Sequence, residues 1–104
     1  MEKLKQALEA TGYDFRFCAW RSAPDGDYGT YFPESGADLV ANNVHLERGT
    51  VGYVDYFTRD PSDTPRNVIE AALNESGCGW SLNSVQFEED TLYIHYEWMF
   101  RIYG

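Results

Sequence analysis

The stretch from Thr91 to Tyr103 constrains this chain more than any other. Leu92, Ile94, Tyr96, Trp98, Phe100 and Ile102 are apolar and stand at every second position, with Tyr93, His95, Glu97, Met99, Arg101 and Tyr103 between them. A period of two marks a β-strand, because successive side chains leave opposite faces of the pleat. A helix would scatter that row around its whole circumference. At about 3.3 Å per residue the alternation reaches roughly 40 Å, which predicts the central plank of one sheet. Its second face mixes tyrosines and a methionine with His95, Glu97 and Arg101. A sheet packed on one side and half apolar on the other calls for a further partner, and in a chain this small that partner could be another copy of itself.

The remaining segments supply neighbours for that strand. Met1, Leu4, Leu8 and Thr11 recur at helical spacing among charged residues, and Gly12 is placed to end the helix in a left-handed cap. From Asp14 to Trp20 the period changes to two, which predicts a first strand. Pro24-Asp25-Gly26 is turn chemistry, and Tyr28 to Phe32 follows as a second strand, expected to run antiparallel to the first. Pro33 to Asn43 is a loop longer than compact domains usually carry, and such loops are often contact elements. Val44 to Glu47 and Thr50 to Arg59 read as the third and fourth strands, the latter apolar on both faces and so interior. Thr64 as N-cap and Pro65 behind it open a second helix that buries Val68, Ile69, Ala72 and Leu73 and closes at Gly77. Trp80 to Glu88 is a fifth strand, joined to the last by a turn at Glu89-Asp90.

The expected fold is therefore α+β in one domain over residues 1–104: a single mainly antiparallel or mixed β-sheet with two α-helices packed on one face, in the order α-β-β-β-β-α-β-β. Aromatic residues make up 16% of the chain, with eight Tyr, six Phe and three Trp. Such rings favour strands, and they also favour surfaces that touch other molecules.

Eight Lys plus Arg against seventeen Asp plus Glu give a formal charge of −9. So acidic a surface repels a phosphate backbone, which argues against a conventional nucleic-acid reader, though it would suit a lining past which DNA must slide. No apolar run approaches the roughly 20 residues of a membrane span. Cys18 and Cys78 have neither metal-ligand nor redox spacing, and with no charged-then-apolar leader the expectation is free thiols in a reducing compartment.

No motif points to catalysis. His45 and His95 stand outside any metal-binding pattern, and His95 reads as a surface histidine pairing locally. A Cys18–His–carboxylate nucleophile assembled in space stays open on sequence grounds. The nine glycines are scattered at turns and helix ends, without a phosphate loop, and Glu88-Glu89-Asp90 reads as a solvated hairpin tip. The expectation is an interaction module: no enzyme, no catalytic residue, no metal and no cofactor.

Several phrases resemble the small tail-terminator, or tail-completion, proteins of long-tailed bacteriophages and prophages. They are Leu4-Lys5-Gln6-Ala7-Leu8-Glu9-Ala10-Thr11-Gly12, Val40-Ala41-Asn42-Asn43, Val54-Asp55-Tyr56-Phe57-Thr58-Arg59-Asp60 and Gly79-Trp80-Ser81-Leu82-Asn83-Ser84. The last is followed by Glu88-Glu89-Asp90-Thr91-Leu92-Tyr93-Ile94-His95-Tyr96-Glu97-Trp98, so the likeness spans nearly the whole chain. The resemblance implies a virion structural protein of the tail or neck, assembled in the bacterial host cytoplasm. Copies would close into a ring, commonly of six, on the head-proximal end of the tail tube. There the ring would end tube polymerisation and join tail to head. Its partners would be itself, the major tail tube protein and a head-completion or connector protein, with DNA passing through without specific binding and no membrane. The alternatives are another head–tail adaptor or minor tail component, or an unrelated acidic binding domain.

On that reading Trp20, Tyr28, Tyr31, Leu39, Val40, Asn42, Asn43 and Tyr103 are candidate interface residues, and Asp25, Asp27, Glu34 and Asp38 are candidate acids of the lumen or the subunit seam.

Overall fold

A computed structural model describes residues 1–18, 25–34 and 49–102. The order of elements is α1 (Glu2–Ala10), β1 (Phe15–Phe17), β2 (Tyr28–Pro33), β3 (Thr50–Thr58), α2 (Thr64–Ser76), β4 (Gly79–Glu88) and β5 (Tyr93–Ile102). The strands form one sheet in the order β1-β2-β3-β5-β4, and the class is α+β. The strand expected at Val44–Glu47 lies outside the described residues.

β5 is interior, as its alternation requires, although β3 holds the middle position. The two strands pair antiparallel with Val54 opposite Trp98, Tyr56 opposite Tyr96 and Thr58 opposite Ile94. Even-numbered side chains of both strands therefore share one face, and that face is the core. Val54, Tyr56, Tyr96, Trp98 and Phe100 are buried there against Leu4 and Leu8 of α1 and Ile69, Ala72 and Leu73 of α2. Trp98 has no exposed surface, and its Nε1 donates a 2.9 Å hydrogen bond to Glu70 Oε2, a carboxylate also held by Arg66 one helical turn away. The ring thus buries its full area without stranding its one polar atom.

Helix ends follow local chemistry. Gly12 and Gly77 both adopt φ 81°, the left-handed value that stops a helix and that glycine reaches without a Cβ penalty. The N-cap residue of α2 is Asp63, one position before the expected Thr64, which leaves Pro65 in the first turn where its missing N–H has no helical partner to lose.

Two further expectations need correction. β1 pairs with β2 in parallel, with Phe15 opposite Gly29 and Phe17 opposite Tyr31, rather than as an antiparallel hairpin. Gly29 makes this register possible: a Cβ there would overlap the Phe15 ring and approach the Asp55 carbonyl oxygen to 2.9 Å. The second correction concerns Leu92. The strand begins at Tyr93, and Leu92 stands before it at φ 65° with 59% of its surface exposed, so the apolar row of the sequence runs one residue further than the core.

The register of β4 on β5, shifted past Asn83, puts Val85 on the same face as Trp98, but the helices cover only Trp98. Trp98→Ala is expected to cost about 3–5 kcal/mol in urea unfolding, the usual range for emptying a large buried aromatic site. Val85→Ala, at a side chain 48% exposed, should stay within about 0.5 kcal/mol of the parent. Equal losses at the two sites would contradict the placement of the helices over Trp98 and away from Val85.

Candidate functional site, the second face of the sheet

Once the even row of β3 and β5 is committed to the core, the odd row must form the opposite face. Among the described residues no helix packs on it, α1 and α2 both lying on the core face. Register lays it out in bands across the strands: Tyr28, Phe57, His95 and Gln86; then Thr30, Asp55, Glu97 and Ser84; then Phe32, Tyr53, Met99 and Ser81. Most of these side chains are half-buried.

The first band is a continuous stack. Tyr28 lies on Phe57 with centroids 4.7 Å apart, and Phe57 lies on the His95 ring at 4.1 Å. Tyr93 meets Tyr28 and Phe57 edge-on, and the Arg59 guanidinium lies 4.1 Å above its centroid. Arg59 also donates from Nε to the Thr91 carbonyl and from Nη1 to the Asp25 carbonyl. The Tyr93 hydroxyl donates to the Gly26 carbonyl at 2.7 Å. One cation and one phenol thereby tie the start of β2, the end of β3 and the β4–β5 hairpin into a single corner.

The second band carries the charge. Asp55 and Glu97 stand directly opposite each other, a like-charged cross-strand pair that is unfavourable by itself. His95 offsets it. Its Nε2 lies 2.8 Å from Asp55 Oδ1, diagonally across the ladder, while Asn83 Nδ2 donates to Glu97 Oε1 at 2.8 Å. Asn83 reaches that carboxylate because the ladder slips between Leu82 and Ser84, leaving it as the extra residue of a bulge. The hydrogen bond to Asp55 raises the His95 pKa above its ordinary 6.5; burial opposes this, and the charges of Asp55, Glu88 and Glu97 add to the rise. The histidine expected to pair locally at the surface instead joins two strands.

The expected site residues fall in different places. Tyr28 belongs to this face, where burial raises its phenol pKa, assisted by Tyr93 and Glu88. Tyr31 does not: it is a core residue on the helix-bearing face, edge-on to Phe17 at 5.4 Å, and is withdrawn from the interface set. Trp20, Leu39, Val40, Asn42, Asn43, Tyr103 and Asp38 lie outside the described residues. Asp25 and Asp27 sit at the start of β2 and Glu34 at its far end, so the strand's length, about 20 Å, separates them. Asp27 has a structural task, accepting from the Thr58 hydroxyl at 2.5 Å and the Arg59 backbone N–H at 3.2 Å.

Cys18 follows the edge strand β1 and is exposed, while His95 is three strands away, roughly 14 Å across the sheet. The nucleophile left open by the sequence is thus not assembled between these two residues. Among the described residues no group of three or more His, Cys, Asp and Glu is placed to hold a metal ion. What the face offers is stacked rings for apolar contact, around a carboxylate pair that can receive hydrogen-bond donors. No protein-family model matches the chain, and no curated protein matches it.

The His95–Asp55 contact has a pH signature. The folded state keeps a proton that the unfolded chain begins to release near pH 6.5. Its stabilisation is complete below that pH and is lost as pH rises through the higher folded value. Melting temperatures measured from about pH 5 to pH 9 should fall across this window in the parent and less so in His95→Gln. An NMR titration placing His95 below 6.5 would contradict the geometry.

Proposed function

We propose that this chain is a structural subunit of a long-tailed bacteriophage or prophage, a tail-terminator or tail-completion protein. In this reading it assembles with copies of itself into a ring that caps the tail tube and presents a surface to the head connector. The observation that supports it is the second sheet face. Tyr28, Phe32, Tyr53, Phe57, His95 and Met99 make a broad, half-buried, ring-rich surface across the strands, and among the described residues no helix covers it. Ring-rich area that is only half-buried within its own chain is characteristic of surfaces completed by another protein. The work is binding, and the net charge of −9 keeps the ring's channel from arresting the DNA that passes through it.

Asp25, Glu34 and Asp38 remain the acids proposed for the lumen or seam. Asp27 leaves that set because its carboxylate holds Thr58 and Arg59 in place. A different component of the same neck would use the same surfaces, and the phenotype separates the two. In the virus that encodes it, loss of a terminator should give tails of uncontrolled length that do not join heads, scored by electron microscopy. Tails of normal length that fail to join would assign the chain to an adaptor layer. Normal, joined, infectious particles would contradict both.

A further inference from the structure

Asp25-Gly26 is the single Asp-Gly pair of the chain, and no Asn-Gly pair occurs. Such a pair carries an intrinsic chemistry. The glycine backbone nitrogen can attack the aspartate side-chain carbonyl carbon and close a five-membered succinimide, an approach that a Cβ on the second residue obstructs. Both residues are exposed, in the bend ahead of β2. Among the described residues the Asp25 carboxylate accepts no hydrogen bond and the Gly26 N–H donates none, so neither reacting group is tied down. Asp27 differs, with one carboxylate oxygen held by Thr58 and the other by Arg59. The fold itself does not require a glycine at 26: an added Cβ would meet no atom within 4 Å, and the backbone there lies outside the left-handed region.

What sets this bend apart from any other Asp-Gly is the corner built on it. Arg59 Nη1 donates to the Asp25 carbonyl oxygen at 2.9 Å, and the Tyr93 hydroxyl lies 3.4 Å from the same oxygen while donating to the Gly26 carbonyl at 2.7 Å. Arg59 is fixed in turn by its bond to the Thr91 carbonyl and by the Tyr93 ring beneath it. The Asp25 carbonyl is the acyl half of the peptide bond whose nitrogen must attack. A guanidinium on its oxygen draws electron density out of that amide, so the N–H gives up its proton more readily. The same oxygen gathers negative charge when water later opens the ring at the backbone carbonyl, and a fixed cation aimed at developing charge lowers that barrier.

We propose that Asp25 is a site of spontaneous isomerisation in the folded protein, with Arg59 promoting ring closure and directing the ring to open toward isoaspartate. The Gly26 nitrogen bonds to Asp25 Cγ, and its proton leaves with the hydroxyl of the protonated side chain as one water. A water then adds to the Asp25 backbone carbonyl carbon, the bond from that carbon to the Gly26 nitrogen breaks, and the chain continues through Cγ. Composition is unchanged and nothing is oxidised. The product carries the former backbone carbonyl as a free carboxylate beside the Arg59 guanidinium, an ion pair in place of a hydrogen bond to a neutral acceptor. It also lengthens the main chain by one methylene ahead of Gly26, which moves the Gly26 carbonyl away from the Tyr93 hydroxyl. The Asp25 charge assigned to the lumen or seam is thereby turned from solvent onto Arg59. The chemistry itself is independent of the phage role.

The test incubates the full chain for weeks, folded in buffer and, in parallel, unfolded in urea. Isoaspartate at position 25 is read by chromatographic separation of the peptide that holds it, and by methyl transfer from S-adenosylmethionine with an isoaspartyl methyltransferase, which labels the new carboxylate. The folded parent should convert faster than the unfolded chain and with a larger share of isoaspartate. Arg59→Gln, with circular dichroism checking the fold, should convert about tenfold more slowly than the parent, the rate effect of one charge-assisted hydrogen bond. Gly26→Ala should keep the parent's spectrum and convert least, since the added Cβ disturbs only the attack.

A folded parent that converts more slowly than the unfolded chain would overturn the proposal, because the corner would then protect the bend. Arg59→Gln converting as fast as the parent would overturn it as well, and so would Gly26→Ala doing so, since no succinimide would then lie on the path. Should Arg59→Gln fail to fold, the comparison of folded with unfolded parent decides alone.

Discussion

The structure depends on the antiparallel ladder between β3 and β5, whose even-numbered side chains are sealed beneath two helices. Val54, Tyr56, Tyr96, Trp98 and Phe100 are all buried in that layer, and Trp98 meets Glu70 so that its indole nitrogen is not left without an acceptor. Strand parity then leaves no freedom. A one-residue slip would turn every one of these rings outward, and the half-polar row would have to take their place. The composition of the second face is therefore a direct consequence of the composition of the first.

That second face contains arrangements that stability alone would not favour. Asp55 and Glu97 oppose each other across one rung, and His95 and the bulged Asn83 are recruited to make them tolerable. The sheet edges tell the same story in apolar terms, with Phe17, Phe87 and Leu92 left largely in water. Single exposed hydrophobes are ordinary on any protein. Here they gather at two edges, next to left-handed residues, while a separate broad aromatic face lies behind the sheet.

Much of this was legible in the sequence, wherever periodicity alone decides the outcome. The Ile94–Ile102 row, the buried stripe of α2 and the glycines at 12 and 77 each follow from local rules. The parallel pairing of β1 was not legible, because antiparallel neighbours are the default after a short turn, and what permits the alternative is the absence of a Cβ at Gly29 beneath Phe15. The Asp55–His95 contact was likewise hidden. It joins positions forty apart along a diagonal that exists only once the register of β3 on β5 is known. Leu92 was misplaced because alternation describes side-chain parity and carries no information about backbone handedness at a hairpin. Tyr31 looked like interface material by residue type and proved to be core by parity, its side chain falling on the same face as Val54.

The central claim is that one face of the sheet is finished within the chain and the other is finished by a neighbouring protein. Hydroxyl-radical footprinting of the isolated chain and of the chain within assembled tails tests this most directly, because Met99 lies between Trp98 and Phe100 in sequence and on the opposite face of the sheet. The account predicts that Met99, Tyr53 and Phe57 are oxidised in the isolated chain and shielded on assembly, with Trp98 and Phe100 shielded in both states. Equal oxidation of Met99 before and after assembly, or equal shielding of Met99 and Trp98 in the free chain, would contradict it.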